Sequence, residues 1–456
     1  MITFILSILF AYLSLKFYSM KNYASMLFYL TLIASDFSGF GLILGEAPIK
    51  ITDITILAIF LIWLRDNIKD KKFFCLTNDR LGKVLFRLFM YLSLLLVGTI
   101  LFNQDSVVNA FKVYRIFLII PLYFILRKMS VNEYEKYIRL MLIVSCVQGV
   151  FYYLQFIGIT GILSGYGANS TEANPRLGNY PFMAGFFFLY FLFSKKISGK
   201  NKLFFLIFFG LMPILGQMRG QTMMLALSAC IFFYYQKKRK YFLYVLIGVV
   251  AWGLIVKPMF EKRADEGGIS TTEEISMLIN NPLGLYNNYV IDGQKGSFVF
   301  RLAMLAERVN FMIENPQFAL TGVGCVNELS PKNTYTMLIG TDLGEELSES
   351  SISRPAYLGS ADIVWVGVLM RYGIIGVILL MSYYILVFIL THKNVHNCSN
   401  PIYLVYACSA LPNIFATFDG NDFESVLSLI VMCGTSAFIT IYNKQQKCLS
   451  YDSYTH

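Results

Sequence analysis

Charge is scarce in this sequence. Only 14% of its residues are charged and 56% are hydrophobic, whereas soluble domains carry about 25% charged residues. The composition excludes a soluble globular enzyme and predicts a polytopic membrane protein whose core is a bundle of helices. The formal charge of +10 forms no basic patch interleaved with aromatic residues, so nucleic acid is not an expected partner.

Histidine is rarer still, and several motifs are missing. The three histidines, His392, His396 and His456, fall on the side of the membrane predicted below to be cytoplasmic. An external histidine catalyst or metal ligand is therefore not expected. The sequence contains no P-loop and no Cys-x-x-Cys pair. We interpret the eight cysteines as small apolar packing residues.

Apolar runs of membrane-spanning character occupy most of the chain. They lie at residues 2–18, 23–44, 51–64, 84–102, 111–126, 138–159, 181–194, 202–217, 221–235, 241–257, 361–390, 402–418 and 424–442. Because about 20 apolar residues cross a bilayer, and several of these runs are short, we predict an all-α bundle of about 12 to 14 transmembrane helices.

One long polar segment interrupts the runs. Residues 258–360 contain thirteen acidic and seven basic residues, a formal charge of −6 in a chain of +10. We therefore divide the chain into an N-terminal bundle of about ten spans (1–257), a large loop that is mainly helical (258–360), and about three C-terminal spans with a basic tail (361–456).

The connections between the runs alternate in charge. Residues 195–202 and 237–240 are rich in lysine and arginine, whereas residues 103–110 and 419–424 have none. Basic connections stay in the cytoplasm. This places the large loop outside the membrane and the C-terminus in the cytoplasm.

Within the large loop, residues 300–314 have the apolar spacing of an amphipathic helix that ends at Asn315-Pro316. The predicted apolar face consists of Leu302, Leu305, Ala306, Val309 and Ile313. Arg301 and Arg308 share another face, which is either the solvated side of the helix or an anion site. Residues 321–324 are expected to form a flexible turn.

Arginines on the predicted outer side are the main candidates for chemistry. Arg219 lies alone between two apolar spans, and either snorkels at a helix end or serves a functional site in the membrane. Arg176 either pairs with Glu172 or belongs to the same site. With Arg301 and Arg308, these arginines suggest that a polyanion is held at the membrane surface, because guanidinium groups bind phosphate oxygens bidentately.

Asp362 opens the span that follows the large loop. It is either an N-cap of that helix or a general base, or hydroxyl ligand, at the outer rim. Glu307 is the second candidate for the base.

The order of these features resembles the O-antigen ligase/polymerase family, whose members have a GT-C-like fold. The matching stretches are Pro175-Arg176-Leu177-Gly178, Arg219-Gly220, Arg301 to Arg308, Asn315-Pro316, Thr321 to Gly324, Ser360-Ala361-Asp362 and Arg371-Tyr372-Gly373. The resemblance covers most of the chain, and the order and placement of these short motifs carry it.

The resemblance implies a glycosyltransferase at the outer face of a bacterial inner membrane. The donor would be a glycan linked to undecaprenyl pyrophosphate, and the acceptor a lipid-linked repeat unit. Arg219 and Arg301, assisted by Arg176 or Arg308, would hold the pyrophosphate, and Asp362 or Glu307 would serve the acceptor hydroxyl. No metal or other cofactor is implied. Partners would be membrane lipids, a chain-length regulator and a flippase.

Two other functions remain open. Ligases of this family place a histidine near residues 359–362, and this chain has none there. We therefore expect a polymerase of surface-polysaccharide repeat units rather than a ligase. A flippase should carry charge along several spans and show internal repeats, and neither is evident here.

Overall fold

A computed structural model describes most of the bundle and part of the polar segment. The described residues are 2–35, 51–69, 79–102, 105–155, 180–216, 218–248, 250–251, 297–328, 330–335, 358, 363–395, 398–418, 423 and 425–452. Every regular element among them is helical.

Fifteen α-helices and two 3₁₀ turns follow one another in the described part of the chain. They are α1 (Ile2–Ser19), α2 (Tyr23–Ala34), α3 (Ile51–Lys69), α4 (Arg80–Leu101), α5 (Val107–Tyr114), a 3₁₀ turn (Arg115–Ile119), α6 (Leu122–Leu126), α7 (Val131–Leu154), α8 (Ala184–Phe193), α9 (Gly199–Leu215), α10 (Arg219–Tyr235), α11 (239–248), α12 (Ser297–Glu314), a 3₁₀ turn (Pro316–Phe318), α13 (Val364–His392), α14 (Pro401–Ala416) and α15 (Val426–Asp452).

The all-helical prediction is confirmed for the described part of the chain, and each predicted apolar span contains a helix there. Five helical stretches in this part are long and apolar enough to cross a membrane. They are Arg80–Leu101, Val107–Leu126, Val131–Leu154, Val364–His392 and Val426–Gln446. Several shorter apolar helices accompany them. The chain is therefore a membrane protein, and the count of 12 to 14 spans stays a prediction.

The surface of the bundle is apolar where a soluble protein would be polar. On α13, Ile374, Ile378, Ile385 and Ile389 are all exposed and recur at helical spacing along one face. Such a stripe is costly in water but not against lipid tails. The exposed stripe therefore agrees with a position of α13 at the lipid boundary.

The basic connections meet at one end of the bundle. Arg127 donates to Asp79 at 3.1 Å, and Asn394 donates to Asn443 at 2.7 Å. Both contacts join connections that the charge pattern assigns to the same side. The structure thus agrees with alternating passage of the spans, and the assignment of this end to the cytoplasm stays a prediction.

The polar segment is joined to the bundle at an interruption in α13. Gly373 adopts φ 61° and ψ −167° inside the helix. In an uninterrupted helix, Ile374 N–H would donate to Met370 and Ile375 N–H to Arg371. Here these four groups pair with residues 319–324 of the segment.

Four backbone hydrogen bonds form this junction. They are Val323 N to Met370 O (2.9 Å), Gly324 N to Arg371 O (3.0 Å), Ile374 N to Ala319 O (2.9 Å) and Ile375 N to Leu320 O (3.2 Å). Residues 321–324 were expected to be a flexible turn. They are instead anchored in the backbone ladder of a membrane helix, because the interruption leaves backbone groups that must be satisfied.

Two glycines allow the backbone of residues 319–324 to approach the backbone of α13 closely. A Cβ added to Gly322, which has φ 69°, would lie 2.4 Å from the Arg371 carbonyl carbon. A Cβ added to Gly373 would lie 2.5 Å from both Gly322 N and Leu320 O. Each glycine therefore supplies a left-handed conformation and leaves room for the other backbone.

The helix predicted within the polar segment exists, but its buried face was predicted incorrectly. It spans Ser297–Glu314 rather than 300–314, and Ile313 is 71% exposed. Met304, Glu307, Arg308 and Met312 form its buried side. The Glu307 carboxylate neutralises the Arg308 guanidinium, which permits the burial of a charged face that the apolar pattern could not foretell.

We expect Gly373→Ala to destabilise the protein by roughly 2–5 kcal/mol, because it adds both backbone strain and a clash with Leu320 and Gly322. Equilibrium unfolding in detergent measures the change. Two controls separate the causes: Gly199→Ala adds strain at φ 70° with open space around it, and Gly248→Ala adds neither. A Gly373→Ala variant no less stable than Gly248→Ala would contradict the junction.

Candidate functional site

A buried arginine in α13 links the membrane helix to the polar segment. Arg371 is only 9% exposed, and its Nη2 lies 2.9 Å from Oε1 of Glu328. The carbonyl of Arg371 accepts the Gly324 N–H at the junction. Both the backbone and the side chain of Arg371 therefore hold the segment against α13.

The segment also contacts the end of α4. Cys325 N–H donates to Thr99 Oγ1 at 2.8 Å, and Ser330 Oγ donates to Asp105 Oδ1 at 2.7 Å. Burial raises the pKa of the Cys325 thiol to about 12, so this cysteine stays protonated near neutral pH. This agrees with the interpretation of Cys325 as a packing residue.

A second ion pair lies on α12. Arg308 is 0% exposed and donates to the carboxylate of its neighbour Glu307. The interpretation of Arg308 as part of a solvated face is therefore wrong. Its charge is already compensated inside the protein, so an anion would have to compete with Glu307 for it.

The other predicted site residues are Arg176, Asp362, Arg219 and Arg301. Arg176 and Asp362 lie outside the described residues. Arg219 is the first residue of α10, where backbone N–H groups and the helix dipole favour anions, but its side chain is not described. Arg301 lies in the first half of α12 and is partly exposed.

The bundle encloses a cavity of about 630 Å³. Its wall includes the C-terminal parts of α2 and α7, the N-terminal parts of α8, α10 and α15, and residues along most of α14. Helix α13 contributes Val364 at its start and Tyr383, Tyr384 and Val387 in its second half, so the cavity extends from one end into the depth of the bundle. Alternating passage of the spans brings the contributing ends of α2, α7, α8, α10 and α15 to the same side. It is the side that the charge pattern predicts to be external.

Amide and hydroxyl groups supply the polar part of the cavity wall, and the described lining contains no charged residue. The polar lining residues are Ser35, Gln148, Tyr180, Gln221, Ser228, Tyr383, Tyr384, Tyr406, Ser409, Asn413, Thr417, Ser425, Ser428 and Thr435. Such a wall suits an uncharged ligand rich in hydroxyl groups.

Three predicted site residues are close chain neighbours of this lining. The pairs are Arg176 with Tyr180, Arg219 with Gln221, and Asp362 with Val364. The structure thus brings the chain positions next to these residues together around one cavity. Arg301, Glu307 and Arg308 are not among its lining residues, although α12 packs against α13, which contributes Val364 to the wall.

The start of α13 is fixed against the cavity wall. Val364 N–H donates to the Thr417 carbonyl at 3.2 Å, and Trp365 Nε1 donates to Thr417 Oγ1 at 2.9 Å. The chain that leaves Asp362 is therefore held two and three residues later by α14.

Two residues of interest were not selected from the sequence. Arg371 was noted only as part of a motif, although a charged residue within an apolar span signals a special role. Gln148 lies in the predicted span 138–159, and a polar amide there carries a similar signal. Neither signal identifies the partner, because Glu328 and the cavity are assembled from distant parts of the chain.

We expect Arg308→Leu to cost about 3–5 kcal/mol of unfolding free energy, because it leaves the Glu307 carboxylate buried without this guanidinium. The double variant Glu307→Gln/Arg308→Leu should recover part of that loss. Arg139→Leu is the matched control, since it removes an exposed pair with Glu135 and should cost less than about 1 kcal/mol. Equal losses for Arg308→Leu and Arg139→Leu in detergent denaturation would refute the buried pair.

In comparisons with known proteins, the chain matches no protein-family model and no curated protein.

Proposed function

We infer that the protein polymerises repeat units of a bacterial surface polysaccharide at the outer face of the inner membrane. The donor is a glycan on undecaprenyl pyrophosphate, and the acceptor is a hydroxyl of a lipid-linked repeat unit. The bond between the donor sugar and pyrophosphate breaks, and the acceptor oxygen forms the new glycosidic bond. Undecaprenyl pyrophosphate leaves, and the hydroxyl proton passes to a base.

The observation that carries this proposal is the polar cavity within an apolar bundle. Its amide and hydroxyl lining suits a glycan, and the chain positions beside Arg176, Arg219 and Asp362 converge on it. A lipid-linked sugar needs both an apolar surface for its tail and a polar chamber for its head. A cavity with a polar lining inside an apolar bundle offers both.

Arg219 and Arg301 are the proposed ligands of the pyrophosphate. Negative charge develops on this leaving group in the transition state, so fixed guanidinium groups lower the barrier without a metal. The position of Arg219 at the N-terminus of α10 adds backbone N–H groups to the same anion site. Arg176 is the proposed assistant, and the pairing of Arg308 with Glu307 makes Arg308 the weaker choice.

Asp362 is the proposed base for the acceptor hydroxyl. In the sequence it precedes by two positions Val364, which begins α13 and lines the cavity. Glu307 remains the reserve candidate, but its carboxylate is engaged by Arg308. We therefore propose Asp362 before Glu307 as the base.

We expect Arg219→Ala and Arg301→Ala each to reduce long-chain glycan at least about tenfold in a strain that lacks this gene, because each removes a charge from the leaving-group site. Gel separation of the surface glycan measures the chain-length distribution. Arg219→Lys should restore only part of the polymer, since lysine lacks the bidentate fork. Arg239→Ala, in a predicted cytoplasmic connection, is the matched control and should give normal polymer.

The same gel, together with the membrane face on which lipid-linked units accumulate, separates the rival functions. Single-repeat glycan without polymer supports a polymerase, whereas the absence of any transferred glycan points to a ligase. Lipid-linked units that accumulate on the cytoplasmic face point to a flippase, for which a polar cavity is also suitable. A normal ladder from both alanine variants would refute the proposed mechanism.

A further inference from the structure

One amide oxygen in the cavity wall has no hydrogen-bond partner among the residues that the structure describes. Gln148 of α7 is 3% exposed and lines the cavity, and its Oε1 is shielded from solvent without a hydrogen-bond partner among the described residues. An unsatisfied buried polar atom costs about 1–3 kcal/mol. Such a group is expected where a ligand supplies the missing hydrogen bond.

The phenol hydroxyl of Tyr180 is a second buried polar group of the cavity wall. Tyr180 Oη is also shielded and unpartnered within the described part of the chain. The Tyr180 ring is fixed edge-on against Tyr152, with centroids 6.1 Å apart. A Cβ built on Gly185 would lie 3.8 Å from Tyr180 Oη and 3.9 Å from Gln221 Oε1. The hydroxyl and the amide oxygen of Gln221 therefore converge on one face of α8.

The two unpartnered groups belong to elements that are tied together. Ser145 Oγ of α7 donates to the Phe182 carbonyl at 2.7 Å, less than one turn of α7 before Gln148. Phe182 follows Tyr180 in the segment that leads into α8. The amide and the hydroxyl therefore belong to neighbouring parts of the wall that a hydrogen bond holds together.

Elsewhere in the wall, hydroxyl groups serve the fold. Tyr406 Oη lies 2.8 Å from Tyr134 Oη, Tyr383 Oη lies 3.0 Å from Ser436 Oγ, and Thr417 accepts from Trp365. Among the lining residues that the structure describes, Gln148 Oε1 and Tyr180 Oη are the solvent-shielded side-chain atoms without a hydrogen-bond partner.

The lack of charged residues in the described wall restricts the chemical class of the ligand further. The described lining contains amides, hydroxyls, aromatic rings and aliphatic side chains, without an acid, a base or a histidine. A carboxylate placed there would lose its hydration without gaining a cation. The volume of about 630 Å³ lies within the range of small-molecule sites, about 300–1,000 Å³.

We propose that Gln148 and Tyr180 form a subsite for an uncharged sugar of the lipid-linked glycan, with Gln221 beside Tyr180. The amide and the phenol donate to and accept from sugar hydroxyl groups. This inference rests on the proposed function, because that function supplies the lipid-linked glycan. It assigns the interior of the cavity to the sugar and leaves the pyrophosphate to the arginines outside the uncharged lining.

The test compares two probes bound to the full-length protein in lipid nanodiscs. One probe is undecaprenyl pyrophosphate, and the other is undecaprenyl pyrophosphate carrying N-acetylglucosamine. The ratio of their dissociation constants, measured by native mass spectrometry, defines the gain in affinity from the sugar. We expect a gain of at least about tenfold in the unmodified protein. Tyr180→Phe and Gln148→Leu should each reduce it about fivefold without changing affinity for the sugar-free probe.

Tyr190→Phe is the matched control. It removes a hydroxyl from α8 at a residue outside the cavity lining, and the sugar gain should stay unchanged. Tyr180→Phe preserves the ring, so it reports on the hydroxyl even if Gln148→Leu fails to fold.

Three results would overturn the subsite: a sugar gain near one in the unmodified protein, a full gain in both cavity variants, or equally tight binding of a probe that carries glucuronic acid. These results still allow the sugar-free probe to bind. Failure of the unmodified protein to bind undecaprenyl pyrophosphate at all would instead overturn the proposed function, and the subsite with it.

Discussion

The structure depends on how the backbone groups freed at Gly373 are satisfied. In a bilayer, an unpaired N–H or C=O costs several kcal/mol, so a membrane helix tolerates an interruption only where protein groups replace the lost bonds. Residues 319–324 supply all four replacements at this point. A fifth bond, from the Tyr91 hydroxyl to the Tyr372 carbonyl at 2.7 Å, fixes the same turn from α4.

This exchange has a consequence for the polar segment. A loop that merely lay on the bundle could move away at little cost, whereas removal of residues 319–324 would expose four backbone groups of α13. The buried pair of Arg371 with Glu328 adds to the same constraint. The segment therefore orients α12 and its arginines relative to the bundle, which a site shared between the two requires.

The predictable part of the molecule is the part governed by local composition. Apolar runs located the helices because a span needs about 20 such residues. The charge of the connections predicted that the connections of Arg127 and Asp79 lie on the same side, and these two residues form an ion pair. The candidate site was harder to predict from the sequence. The sequence identified Arg219 and Asp362 as unusual, and each lies two positions before a residue that lines the cavity.

What escaped prediction depends on how individual side chains and backbones pair in the folded protein. The buried face of α12 was misjudged because Glu307 and Arg308 neutralise each other, which an apolar count cannot register. The junction of Gly322 with Gly373 joins two motifs that were visible separately, but nothing local indicates that their backbones meet. Gln148 gained its significance only when the cavity around it was known.

Reconstitution offers the most direct test of the central claim, that this bundle lengthens a lipid-linked glycan. The purified protein would be incubated in liposomes with one lipid-linked repeat unit and no nucleotide sugar, and the products would be sized by mass spectrometry. We expect glycans of two or more repeats on undecaprenyl pyrophosphate, with one free undecaprenyl pyrophosphate released for each new linkage. Movement of the unlengthened unit across the bilayer, with no new linkage, would contradict the claim.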